Sequence, residues 1–205
     1  PRPIFKEPLP PRPPNLCPGC PHRGLFYVLR KLKLFATGDI GCYTLAAYPP
    51  LNSLDTCICM GASISQAHGM AKALGDGGRG KFVAVIGDST FLHGGIAPLM
   101  NTAYNKSYAT TILLDNRTTG MTGSQEHPGT GFTVRGEKTH KIDFVELGKT
   151  LGVESVRKVN PWNVEETEKV IKEEIEKDAP SLIITTGPCI LMRREFKQYN
   201  KPLEI

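Results

Sequence analysis

Lys81-Phe-Val-Ala-Val-Ile86-Gly87-Asp88-Ser89-Thr90 opens on a short apolar run rich in β-branched residues and stops abruptly at glycine and aspartate. Such a run reads as a buried strand. A helical pattern follows, with Ile96, Leu99, Met100 and Ala103 as its apolar positions. A second buried run, Thr110-Thr-Ile-Leu-Leu114, then ends in Asp115-Asn116-Arg117-Thr118. Two neighbouring parallel strands of this kind bring Asp88 and Asn116 together at their carboxyl ends, where open α/β sheets bind ligands. A carboxylate and an amide oxygen there suit a small hard cation such as Mg2+, which takes few protein ligands and adds phosphate oxygens. Gly87 lets the backbone come close, and Ser89 with the following amides can face a phosphate at a helix N-terminus. The stretch predicts a metal-bridged diphosphate site; on the plainer reading it is a strand-helix-strand unit whose polar ends only cap and turn.

Upstream, Phe35 to Ile40 and Leu54 to Ile58 read as further strands, the first ending in Gly41-Cys42-Tyr43-Thr44. Helices are expected from Gly24 to Leu34, with Leu25, Val28, Leu29 and Leu32 on one face, and after Cys59-Met60-Gly61-Ala62, marked by Ile64, Ala67, Ala71 and Leu74. Downstream, Thr119 to Lys141 is a long polar, Gly-rich loop, and loops of that length inside a compact domain are usually functional. Phe144 to Leu151 and Val164 to Lys177 read as helices, Ser155 to Val159 and Ser181 to Thr185 as strands. The last of these ends in Gly187-Pro188-Cys189-Ile190. This alternation predicts an α/β fold, a doubly wound, mostly parallel sheet with helices on both faces.

A chain of 205 residues, 40% hydrophobic, can bury one sizeable core. It starts at Pro1, and residues 1–14 hold seven prolines, so this segment is expected to be a linker in polyproline-type conformation, with a domain at 15–205 cut from a longer polypeptide. No apolar run reaches the length of a bilayer span and no leader pattern is present, which predicts a cytoplasmic protein without membrane insertion. The net charge of +5 is modest, with Arg30-Lys31-Leu32-Lys33 and Arg193-Arg194 the densest clusters. Nucleic-acid binding is not expected, because no basic stripe with interleaved aromatics is seen. The basic residues fit a solvated face, or a surface that docks an acidic electron carrier or a phosphorylated cosubstrate.

Six cysteines in such a chain suggest metal or redox use more than disulfides. Cys17 and Cys20 form C-x-x-C with Pro and Gly between them, a knuckle that serves zinc, an iron-sulfur cluster or a dithiol couple. Cys42 and Cys189 fall just beyond predicted strand ends, on the side of the sheet that holds Asp88 and Asn116. Cys57 and Cys59 lie in an apolar strand context and are expected to be buried small hydrophobes. Spacing alone does not separate four thiolates on zinc from four on a cluster.

The G-D-S (87–89) and D-N (115–116) pair resembles the signature of thiamine-diphosphate enzymes, G-D-G followed by N-N, with Ser89 and Asp115 as departures. The segments C-P-G-C-P-H-R (17–23), D-I-G-C-Y-T-L (39–45), M-T-G (121–123) and H-P-G-T-G (127–131) narrow the resemblance to the 2-oxoacid:ferredoxin oxidoreductases, nearest to members acting on indolepyruvate, over residues 15 to 195. The resemblance implies the thiamine-diphosphate-binding fold, with Asp88, Asn116 and the main-chain carbonyl of Thr118 on Mg2+. It implies Cys17, Cys20, Cys42 and Cys189 on one [4Fe-4S] cluster. It places Gly61, Gly87, Ser89 and Thr122 at the cofactor, Met60 as the wedge that bends it, and the carbonyl of Ile58 as acceptor for its 4′-amino group.

By the same resemblance the activating glutamate comes from a separate pyrimidine-binding domain, so the site is completed by the preceding domain or by a second (beta) subunit in an oligomer. The implied activity is oxidative decarboxylation of an aryl 2-oxoacid such as indolepyruvate, with CoA as acyl acceptor and ferredoxin as electron acceptor. His22 and His127, in loops, are candidates for acid-base work; His68, on a helix, is expected to be a packed or capped residue, and Arg23 and Arg117 would pair with an anion or face solvent. Two other readings stay open from the residues: a non-redox thiamine-dependent 2-oxoacid decarboxylase, and a metal-stabilised binding module.

Overall fold

The computed structural model describes residues 10–192. Arg193-Arg194, residues 1–9 of the expected linker and the chain beyond 192 lie outside the described residues; 10–14 are exposed and carry no regular structure. Six strands, β1 (Phe35–Gly38), β2 (Thr56–Cys57), β3 (Phe82–Gly87), β4 (Thr110–Asp115), β5 (Ser155–Val159) and β6 (Ser181–Thr186), form one sheet in the order β2-β1-β3-β4-β6-β5. Every pairing in it is parallel. Chain order reverses at β1, which has β2 on one side and β3 on the other, so the sheet has its topological switch point where ligands bind in such folds.

The period of two along each strand sorts the core into two layers. Val83, Val85, Ile112, Leu114 and Ile183 face a cluster built with α1 (Arg23–Lys31) and α6 (Val164–Ile175). Phe82, Ala84, Ile86, Leu113, Leu182 and Ile184 face the opposite cluster, with α2 (Ala62–Leu74), α4 (Ile96–Tyr104) and α5 (Phe144–Thr150). Helices therefore cover both faces, and the unbroken apolar runs of β3, β4 and β6 are explained by burial on both sides.

Several local expectations change. The segment expected as a strand from Leu54 to Ile58 pairs only at Thr56 and Cys57, and Cys57 and Cys59 are exposed, not buried, because this short strand is the sheet's edge. Leu74 and Met100, expected on inner faces, are 52% and 51% exposed. The helix after β3 starts sooner than the apolar pattern shows: α3 (Asp88–Thr90) and a π-helical turn (Phe91–Gly95) run directly into α4. The loop between β4 and α5 has a 3-10 turn (Gly120–Thr122) and two isolated antiparallel bridges, Thr119 to Gln125 and Phe132 to Lys138.

Candidate functional site

The carboxyl ends of β1, β3, β4 and β6 surround a cavity of about 210 Å3. Asp88, Ser89, Asn116, Thr118 and Thr122 line it, as do Met60, Gly87, His22 and all four of Cys17, Cys20, Cys42 and Cys189. Residues expected from separate segments to share one site thus share one cavity. Ile58, 70% exposed, is not among the lining residues.

Asp88 is 3% exposed and follows directly on β3. Its Oδ1 accepts from the Ser89 N–H (2.8 Å) and its Oδ2 from the Arg117 N–H (2.8 Å), which ties the end of β3 to the loop after β4. The Ser89 N–H is thus taken up by Asp88, and the Ser89 hydroxyl accepts from Thr119 Oγ1 at 2.9 Å. Asn116 Oδ1 accepts from the Thr118 N–H at 3.1 Å, closing an Asx turn that fixes the amide and the Thr118 main chain together. Arg117, between them, has φ +61°, a conformation that turns the loop inward.

Gly87 lines the cavity and also allows a close approach from within the chain. A Cβ there would lie 2.7 Å from the ring of buried Tyr43, which packs across the strand end. Burial holds the Tyr43 hydroxyl well above its usual pKa, and it donates to the Ile40 carbonyl at 3.0 Å.

Backbone pairing carries the thiols to the same place. Beyond the β4-β6 ladder the Gly187 N–H donates to the Asp115 carbonyl (2.9 Å) and the Cys189 N–H to the Asn116 carbonyl (3.0 Å), which sets Cys189 beside Asn116. The Cys17-Pro-Gly-Cys20 knuckle is closed by Cys20 N–H to Cys17 O at 3.0 Å. Gly19 has φ +78°, a conformation that favours glycine, and it packs against the Ile190 side chain of the Cys189 loop. On the other flank, a Cβ on Gly120 would lie 3.4 Å from Asn116 Nδ2 and 3.6 Å from Cys42 Sγ.

The thiols feel one another. Burial, and then repulsion from Cys189, Cys17 and Cys42, pushes the Cys20 thiol up to about 11, against the His22 N–H that favours the thiolate. Burial also raises Cys42, with Cys189 and Cys17 adding to it. A coordinating metal cation would favour the thiolate of such a group. Among the described residues no three His, Cys, Asp or Glu side chains converge closely enough to hold one ion.

His22 is 4% exposed, lines the cavity, and neither ring nitrogen has a hydrogen-bond partner. Burial lowers its pKa to about 4, with the Asp88 carboxylate opposing, so the imidazole is neutral near pH 7 and holds an unpaired N–H. His127 does not line the cavity; it is buried behind Asp88. Arg23, expected to meet an anion or solvent, donates to the Leu16 carbonyl at 2.6 Å and braces the knuckle.

One residue at the site's edge opens the D-I-G-C-Y-T-L segment but was assigned no role from the sequence. Asp39, fully buried, accepts from the N–H groups of Ile40 (2.9 Å), Gly61 (2.8 Å) and Ser63 (3.0 Å), and so fixes the start of α2 and the Met60-Gly61 turn against β1. Its place directly after an apolar strand, before I-G-C, was the only available hint.

Comparison with known proteins agrees with this geometry. Residues 39–185 match the family described as thiamine pyrophosphate enzyme, C-terminal TPP binding domain. The chain is 43% identical over 198 residues to indolepyruvate oxidoreductase subunit IorA of Archaeoglobus fulgidus, covering 92% of this chain and 31% of the relative. It is 41% identical over 213 residues to IorA of Pyrococcus horikoshii, covering 95% and 33%. It thus spans about a third of the length of these curated relatives. Among solved structures, a 2-oxoglutarate:ferredoxin oxidoreductase from Magnetococcus marinus superposes with TM-score 0.75 at 19% identity, over 95% of this chain and 73% of that one. Benzoylformate decarboxylase from Polynucleobacter necessarius follows at 0.59 and 16%, over 80% and 32%. Both structural likenesses speak to the fold. Because the family match takes in everything from the Asp39 loop to the last strand, around a cavity at the switch point of the sheet, the chain belongs to the thiamine pyrophosphate enzymes and carries their C-terminal TPP-binding domain.

Proposed function

We propose that this chain is the thiamine-diphosphate-binding region of an indolepyruvate:ferredoxin oxidoreductase, which decarboxylates an aryl 2-oxoacid oxidatively to acyl-CoA and CO2. Its close relatives are named as indolepyruvate oxidoreductase subunits, and the structural neighbour is a ferredoxin-dependent enzyme crystallised with coenzyme A. The observation that carries the redox reading is the lining of one cavity by Asp88, Asn116 and four cysteines.

The donor set fits the implied groups. Asp88, the Asn116 amide oxygen and the Thr118 carbonyl are hard oxygen donors of the kind Mg2+ takes beside phosphate. Cys17, Cys20, Cys42 and Cys189 would hold a [4Fe-4S] cluster. Four thiolates also suit zinc, and metal content separates the two. His22, neutral and lacking a partner, would donate its N–H to an anionic group in the cavity. When bound, thiamine diphosphate supplies the electron sink for decarboxylation and the cluster accepts the resulting electrons singly.

The chain's own share is positioning. Asp88 and Asn116 would anchor the diphosphate through the metal, Met60 lines the cavity that would take the cofactor, and Gly61 is fixed by Asp39. Gly87, Ser89 and Thr122 complete the wall, and the Ile58 carbonyl, outside that lining, would accept from the aminopyrimidine. The exposed apolar side chains of Ile58, Met60, Met121 and Leu191 leave surface for another protein part, read here as the pyrimidine-binding domain that brings the activating glutamate. Residues 1–14 would link to it, ahead of a domain at 15–205; a beta subunit and ferredoxin complete the assembly.

The test is Cys42→Ser in the whole enzyme. It is expected to abolish indolepyruvate-dependent reduction of ferredoxin or a dye while thiamine diphosphate still binds; unchanged electron transfer would refute the cluster assignment.

A further inference from the structure

We infer that His127 is a positioning residue which orients the Asp88 carboxylate through its Nε2 proton. This rests on the proposed role of Asp88 as a metal ligand and gives a use to the H-P-G motif, which the cavity itself does not explain. His127 Nδ1 accepts from the Gly129 N–H at 3.1 Å, so in the neutral ring the proton sits on Nε2. Nε2 lies 3.3 Å from Asp88 Oδ2, and the two side chains are 5% and 4% exposed. The N–H does not yet make a hydrogen bond and has no other partner, which leaves it available to Asp88. Contacts of this kind are often long before the ligand binds and tighten with it.

The loop is built to hold the ring there. Gly129 has no room for a side chain: a Cβ would stand 2.9 Å from the ring of Phe144 and 3.0 Å from His127 itself. Thr130 closes the turn with its N–H and its hydroxyl, each 2.9 Å from the His127 carbonyl. The Pro128 carbonyl accepts from the Ile142 N–H at 3.0 Å, which fastens the loop to the segment entering α5.

The Arg117 N–H is on Oδ2, with His127 Nε2 3.3 Å from the same oxygen, and the Ser89 N–H alone is on Oδ1, so the carboxylate keeps acceptor capacity on Oδ1. His127 does not line the cavity, so it acts on a bound metal only through Asp88. Outer partners of this type hold a ligand's orientation, and losing one costs typically about 10–100-fold in metal affinity.

The experiment measures Mn2+ affinity of the assembled enzyme with thiamine diphosphate, by titration followed with electron paramagnetic resonance. His127→Leu removes the donor and keeps bulk. His127→Asn keeps an acceptor for Gly129 but is too short to reach Asp88, and serves if the leucine variant does not fold. His127→Gln returns an amide N–H near the Nε2 position. Leu or Asn is expected to weaken Mn2+ binding about 10–100-fold, with a changed Mn2+ spectrum, and Gln to restore most of the affinity and the spectrum. Unchanged affinity in the Leu and Asn variants, or equal loss in Leu, Asn and Gln, would overturn the inference. Asp88→Asn separates the two levels: if it binds Mn2+ as the unaltered enzyme does, the metal role of Asp88 fails; if it alone loses binding, only the role of His127 fails.

Discussion

His22 shows how a single side chain can have its chemistry set by burial. Its ring is walled off from water and has no partner, so protonation is costly in the folded chain and its pKa drops from 6.5 to about 4. The unfolded chain takes up that proton first as pH falls. The ligand-free chain should therefore lose stability from about pH 6.5 down to about 4, and His22→Asn should lessen that slope in urea unfolding; equal slopes in both would contradict it. Nothing in the sequence distinguishes His22 from a solvent-facing loop histidine, because the walls that bury it come from distant segments. The same is true of Cys57 and Cys59, whose apolar neighbours suggested burial and whose edge position exposes them. Asp88 and Asn116 were legible because strand-end chemistry is local: each closely follows an apolar run that has to be a buried strand.

Among the elements, β3, β4 and β6 were readable almost to their ends because burial on both faces leaves a continuous apolar signal. The edge strand β2, two residues long, has no such signal. The start of α2 at Ala62 was readable, but its cap was not, since that comes from Asp39 at the end of another strand and not from a preceding Ser, Thr or Asp. Asp39→Ala leaves the N–H groups of Ile40, Gly61 and Ser63 without their acceptor. It should cost roughly 2–4 kcal/mol of stability, read by urea unfolding, with Asp39→Asn in between. A loss under about 0.5 kcal/mol, the range of neutral surface changes, would show that the cap does not hold this turn.

For the molecule as a whole, the sheet does one thing for function: it delivers the ends of β1, β3, β4 and β6 to one rim. The thiols of Cys17, Cys20, Cys42 and Cys189 come from three loops far apart in the chain and meet the Asp88-Asn116 site in a single cavity. The sequence could order these residues along the chain but not their shared wall, which depends on the Gly19-Ile190 contact and on the Cys189-Asn116 backbone bond. No helix among the described residues is long and apolar enough to cross a membrane. The apolar rim instead faces outward at the mouth of the cavity, where a second protein part is proposed to sit.

The proposed chemistry turns on four thiols holding a redox cluster beside the diphosphate site. The deciding measurement is the iron, acid-labile sulfide and zinc content of the anaerobically purified whole subunit, with its visible spectrum. About four irons and four sulfides are expected for the cluster of this domain, the content of a cubane held by four cysteines, lost in proportion when Cys42 and Cys189 are replaced by serine. One zinc per chain, with no iron that depends on these cysteines, would rule the cluster out.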